Sequence, residues 1–112
     1  MPAQTPDSPI TVIDDLVDGT PIPATGMGHR TVFTSPEARI VVLSFAKGHV
    51  LREHSAPFPL LMQALDGEFA VTSAGQLIQL VPGGLIRMEA RLPHSVEAIE
   101  DSRLMLTLLT SK

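Results

Sequence analysis

The chain reads as an all-β domain closed into a small barrel, and three observations point there. Short apolar runs recur at roughly the 8 to 12 residue spacing of sandwiches and barrels. Ten Pro and eight Gly are scattered between these runs instead of clustering, which suits many strands and turns better than long helices. Where charges enter a run they alternate with apolar residues, the period of a strand with one face buried.

The totals narrow the field further. A length of 112 residues accommodates one domain and one core. With no Cys there is no disulfide framework, thiolate metal site or cysteine nucleophile, and a reducing compartment fits. Twelve acids stand against eight bases, for a net charge of -4, and no Lys/Arg cluster exists to neutralise a phosphate backbone, so no nucleic acid partner is expected. No segment approaches the ~18 apolar residues of a membrane span, and MPAQTPDSP lacks the basic start of a leader. A cytoplasmic protein with no membrane partner is expected. Four Phe with neither Trp nor Tyr argue against an aromatic cage.

Residues 1–9 are predicted to be a loose tail, because three Pro among small polar residues cannot repay their ordering entropy by burial. Residues 10–112 form the single domain. ITVIDDLV, residues 10–17, fits a first strand or one helical turn before Gly19. Pro21, Pro23, Gly26 and Gly28 make a loop, followed by a short strand over 29–34 that Ser35-Pro36 ends. ARIVVLSFA, residues 38–46, is apolar on both faces and reads as a central strand. Lys47-Gly48 turns into residues 50–56, where alternation puts Val50, Arg52, His54 and Ala56 on one face. Pro57 and Pro59 stop ladder pairing and bend the chain. A strand over 60–65 resumes, and Asp66-Gly67 predicts a tight hairpin into 68–73. Ala74-Gly75 turns into 76–81, and Pro82-Gly83-Gly84 leads to 85–89, where Ile86 and Met88 share a face opposite Arg87 and Glu89. Runs over 94–99 and 103–110 close the set.

Two histidines organise the functional reading. His54 sits in the first run after Gly48, and His94 interrupts a strand-like run between Gly84 and Ile99. The spacing Gly48, His54, Gly67 resembles the first motif of the cupin family, in which a Gly is followed by His, His, Glu and Gly at fixed intervals. Ala56 stands where the second His would be and Leu60 where the Glu would be. Gly83 and His94 match the second motif, with Glu89, Arg91 and Ala98 at its Pro, Gly and Asn positions. The resemblance covers about residues 38–110 and implies a cupin-type double-stranded β-helix, a jelly-roll barrel. In metal-binding cupins the two His of the first motif, its Glu and the His of the second hold a divalent ion, so the resemblance leaves His54 and His94 as metal ligands of an original four. Zn, Fe, Mn or Ni held by two imidazoles would be weakly bound.

Three roles are then open for the pair: histidines satisfied by backbone hydrogen bonds, a metal site completed by other donors, or direct hydrogen bonding to an organic ligand. The expected protein is a single-domain cupin binding a small organic molecule in an apolar pocket, with a weakly held divalent metal as a variant. The pocket is expected to include Ala56, Leu60, Met62 and Met88 beside the histidines. Arg52 could clamp a carboxylate bidentately. Gln63 falls on the opposite face from Leu60 and Met62 by strict alternation, and it joins the pocket only if the Pro57-Phe58-Pro59 corner breaks that alternation. The rival readings are a metal-dependent oxygenase or isomerase completed by substrate, water, Gln63 or His49, and a non-catalytic sensor or interaction domain. An outer face with Ile40, Val42, Leu61 and Leu65 needs cover, and a homodimer would supply it.

Overall fold

The structure, a computed structural model, describes residues 9–111. The tail expected over residues 1–9 lies outside the described residues, Pro9 excepted. Nine strands run through the described residues: β1 (Met27–Thr34), β2 (Ala38–Phe45), β3 (Val50–His54), β4 (Leu60–Asp66), β5 (Phe69–Ser73), β6 (Gln76–Leu80), β7 (Ile86–Met88), β8 (His94–Ala98) and β9 (Ser102–Leu109). They form two antiparallel sheets, ordered β1-β2-β9-β4-β7 and β3-β8-β5-β6. From β2 onward the chain passes from one sheet to the other at almost every connection, which is the jelly-roll path. No helix among the described residues is long and apolar enough to cross a membrane.

The core lies between the sheets, where alternation turns one face of each strand inward. Val41, Leu43 and Phe45 of β2, Leu60, Met62 and Ala64 of β4, Phe69 and Val71 of β5, and Val96 and Ala98 of β8 are buried in one apolar cluster. Full burial of each large side chain contributes about 1.5–3 kcal/mol. β2 is also covered on its other face, with Val42 fully buried and Ser44 nearly so. That cover comes from the residues before β1. Arg30 holds Asp15 in an ion pair of 3.0 Å, and Arg103 Nε donates to the Thr20 carbonyl at 2.7 Å. A Cβ at Gly28 would strike the Ser44 hydroxyl, so glycine permits this close layering. The chain itself thus supplies part of the cover that a partner subunit was expected to bring. Over residues 10–17 neither expected element forms in full: residues 10–15 are irregular and a hydrogen-bonded turn spans 16–19, where Gly19 N–H donates to the Asp15 carbonyl at 2.7 Å and Thr20 N–H to that of Val17 at 3.1 Å.

The Asp66-Gly67 step is not the hairpin that its sequence predicts. β4 pairs with β9 and β7, whereas β5 pairs with β6 and β8, so the step carries the chain around a corner between sheets. Gly67 takes φ +74°, and a Cβ there would overlap the Ser102 side chain. Ser102 is fully buried, and its hydroxyl accepts from Glu68 N–H at 2.9 Å while donating to the Glu100 carbonyl at 2.7 Å. The true tight hairpin is Ala74-Gly75 between β5 and β6, with φ of 51° and 73°. Positive φ at both central residues matches the right-handed twist of the flanking strands.

Candidate functional site: a histidine pair at the open end of the barrel

His54 ends β3 and His94 begins β8, and the two residues are direct partners across these antiparallel strands. Their ring centroids lie 4.4 Å apart with planes tilted by 60°. The register explains how they meet. Leu51 opposes Val96 and His54 opposes His94, so three steps along β3 match two along β8, and one residue bulges. The bulge turns His54 to the side of the buried Val96 and His94. It also breaks the alternation that grouped Arg52 with His54: Val50 opposes the exposed Glu97, and Arg52 is exposed. Bulges are a common device for re-aiming a side chain beside a site.

The two rings differ in environment and share one hydrogen-bond pattern. His94 is 2% exposed, while His54 is exposed. His54 Nδ1 lies 2.9 Å from the Arg52 carbonyl, and His94 Nδ1 lies 2.9 Å from the Leu92 carbonyl. A carbonyl oxygen only accepts, so each neutral ring carries its proton on Nδ1 and leaves the Nε2 lone pair free. Neither Nε2 has a protein hydrogen-bond partner among the described residues. Burial pushes the His94 pKa below its ordinary 6.5; the bond to the Leu92 carbonyl works in the other direction, and the neighbouring His54 lowers it further. His94 is therefore a neutral acceptor near pH 7.

Of the apolar residues expected in the pocket, Leu60, Met62 and Met88 are buried in the core between the sheets, with Ala56 packed against it, as is Leu92. Met88 opposes Leu60 in the ladder. The Ala56 carbonyl accepts from Arg91 N–H at 2.7 Å, which ties the segment after His54 to the segment before His94. Gln63 does not join them. It opposes Met105 and alternates with the buried Met62 and Ala64, so it lies on the outer face; the Pro57-Phe58-Pro59 corner leaves the alternation of β4 intact. His49 is also remote, its ring tilted 55° against that of Phe45 at 5.8 Å just before β3 begins. Sequence reasoning missed Ser73, the cross-strand partner of His94, whose buried hydroxyl donates to the Pro93 carbonyl at 2.7 Å. Its parity with Phe69 and Val71 marked it as inward-facing.

No family model and no curated protein sequence matches the chain, but solved structures do. A conserved protein of unknown function from Streptococcus pyogenes superposes with a TM-score of 0.80 at 25% identity, over 100% of this chain and 97% of that one. A cupin superfamily protein from Desulfitobacterium hafniense gives 0.80 at 21%, over 96% and 98%. An RmlC-like cupin from Desulfovibrio desulfuricans gives 0.81 at 22%, over 92% and 100%.

The chain has the cupin fold.

The cupin motifs can now be placed on the backbone. The position where the second motif has Gly is Arg91, and its φ is +66°. This left-handed conformation is one that glycine adopts freely and that other residues adopt at a cost. The second motif's remaining His, His94, is held at the start of β8 immediately after this turn. The cupin metal set does not fit these residues. Among the described residues no group of three or more His, Asp or Glu is placed to hold a metal ion, and Ala56 and Leu60 offer only hydrocarbon at the two vacated ligand positions. Divalent ions of the Zn and Fe type want three or four donors, with a carboxylate often among them.

Proposed function

We propose that the protein is a small-molecule-binding cupin that recognises a polar group of an organic ligand through Nε2 of His54 and His94, without a resident metal. The observation that carries this reading is the shared hydrogen-bond pattern: both Nδ1 atoms are spent on backbone carbonyls, and two rings 4.4 Å apart leave their Nε2 atoms unpartnered. A structural role for the pair accounts for the Nδ1 contacts but gives the Nε2 atoms nothing to do. Few converging polar atoms on a largely apolar surface is the common composition of a ligand site. His94 binds as a neutral acceptor, and the exposed His54 lies on the solvent side, where it meets the ligand first. A metal-dependent oxygenase or isomerase would need donors from substrate, water or another chain. A homodimer belongs to the same proposal, since Ile40, Leu61 and Leu65 keep part of their surface exposed; light scattering at micromolar concentration reads it.

The test follows imidazole signals by NMR during titration with alcohols, phenols, amides and organic acids, on the wild type and His54→Ala. Saturable shifts of both rings that disappear in an equally stable variant support the reading. It fails if no compound moves the rings, or if His94 responds identically without His54. Elemental analysis of protein purified without an affinity tag supplies the second arm, and a stoichiometric, tightly held ion would overturn the metal-free form.

A further inference from the structure

Four links of two to five residues join a strand of one sheet to a strand of the other: β2 to β3, β4 to β5, β6 to β7 and β8 to β9. Links this short stack the strands they join, so β2 lies over β3, β9 over β8, β4 over β5 and β7 over β6, in step with the order of both sheets. The opposite ends of the same strands form the mouth that holds the histidine pair. There the ladder aligns Arg39, Leu108, Leu60 and Met88 across one sheet and His54, His94, Ser73 and Gln76 across the other. Gln76 and Met88 line one cleft, which confirms that the two rows face each other.

Arg39 therefore stands on the strand stacked over that of His54. Leu60 and Met88 are buried in the core and Leu108 packs against it, so their row points between the sheets. Arg39 shares that row and alternates with the buried Ile40 neighbour Val41, which puts it on the inner face at the rim. It is exposed, and the ion pairs among the described residues are Arg30–Asp15 and Arg103–Asp66, so no carboxylate of the described residues holds its guanidinium. Facing sheets lie about 10 Å apart, and an imidazole and an arginine reaching in from the two sides leave room for a small molecule only.

Resting on the reading of the histidine pair as a ligand site, we propose that the mouth binds a small hydroxy acid, its hydroxyl donating to a histidine Nε2 and its carboxylate paired with Arg39. A lone-pair acceptor demands an O–H or N–H donor, and a guanidinium fork matches a carboxylate in plane and spacing.

The experiment follows the imidazole signals by NMR at pH 8 while 3-hydroxybutyrate, its methyl ester or butyrate is added to the wild type and to Arg39→Gln. Because Arg39 is exposed, the variant should keep its thermal midpoint, which is measured alongside. 3-Hydroxybutyrate should shift the rings saturably in the wild type and bind about fivefold more weakly to the variant, near the ceiling for an exposed ion pair. The ester, which has the hydroxyl without the charge, should bind both proteins equally and more weakly than the acid binds the wild type. Butyrate, which has the charge without the hydroxyl, should bind the wild type more weakly than 3-hydroxybutyrate does. Equal affinity of the two proteins for 3-hydroxybutyrate, or of the wild type for 3-hydroxybutyrate and either of the other compounds, overturns the proposal while leaving the histidine reading in place. Silence of the rings toward all three compounds overturns the proposal, and the histidine reading falls with it only if the alcohols, phenols and amides leave the rings unmoved as well.

Discussion

The two ends of the barrel are built from the same strands and solve opposite problems. At one end Phe45 and Phe69 meet edge to face at 5.1 Å, His49 packs at a tilt against Phe45, and Ser102 satisfies the corner at Gly67 with its hydroxyl. The Ser102 hydroxyl is fully engaged, while the Ser44 hydroxyl beside Phe45 is buried without a hydrogen-bond partner. At the other end β3 and β8 present His54 and His94 with their Nε2 atoms unclaimed. The contrast teaches that polar residues are not the mark of function here. The closed end holds polar residues too, but its unpaired Ser44 hydroxyl is sealed from solvent, whereas the ring of His54 is exposed.

Substitutions at the two ends should therefore differ in kind. The largest expected effect is Phe69→Ala, which removes a fully buried ring from the closed end and should cost about 3–5 kcal/mol in denaturant unfolding. Gly67→Ala comes next. It forces a Cβ into a left-handed corner already in contact with Ser102 and the Asp101 carbonyl, and a loss of about 2–4 kcal/mol is expected by the same measurement. At the open end Arg91→Gly should stabilise the protein by about 1 kcal/mol, because φ +66° ceases to be strained. His54→Ala, at an exposed position, should change stability by less than about 0.5 kcal/mol while abolishing any ligand response of the rings.

The pH dependence separates the ends again. His94 has a pKa below 6.5 in the fold, chiefly because burial disfavours its charged form, whereas the unfolded chain titrates near that ordinary value. Below pH 6.5 the unfolded state binds more protons, so stability falls as pH drops from 6.5 toward the folded-state pKa, and above 6.5 this contribution is fully present. Chemical denaturation at a series of pH values should show that decline in the wild type and a shallower one in His94→Gln.

Much of this molecule was legible in its residues. The β-branched run of β2, the parity of Ile86 and Met88 in β7, and the Ala74-Gly75 turn all follow from side-chain period and positive φ, which are local rules. The meeting of His54 with His94 was legible from motif spacing. What escaped depends on partners distant along the chain. Asp66-Gly67 carries the local signature of a hairpin, yet Ser102 and the pairing of β4 with β9 make it a corner. The bulge that turns His54 inward and Arg52 outward is set by register with β8, and nothing in the sequence of β3 marks it.

The central claim is that both imidazoles hold their protons on Nδ1 and keep Nε2 open to a ligand, and a proton–nitrogen NMR spectrum of the histidine side chains above pH 7 tests it most directly. The account predicts the Nδ1–H tautomer for His54 and His94 together, with unprotonated Nε2 signals and cross-relaxation between the two rings. An Nε2–H tautomer at either residue, or two rings that show no mutual contact, would contradict it.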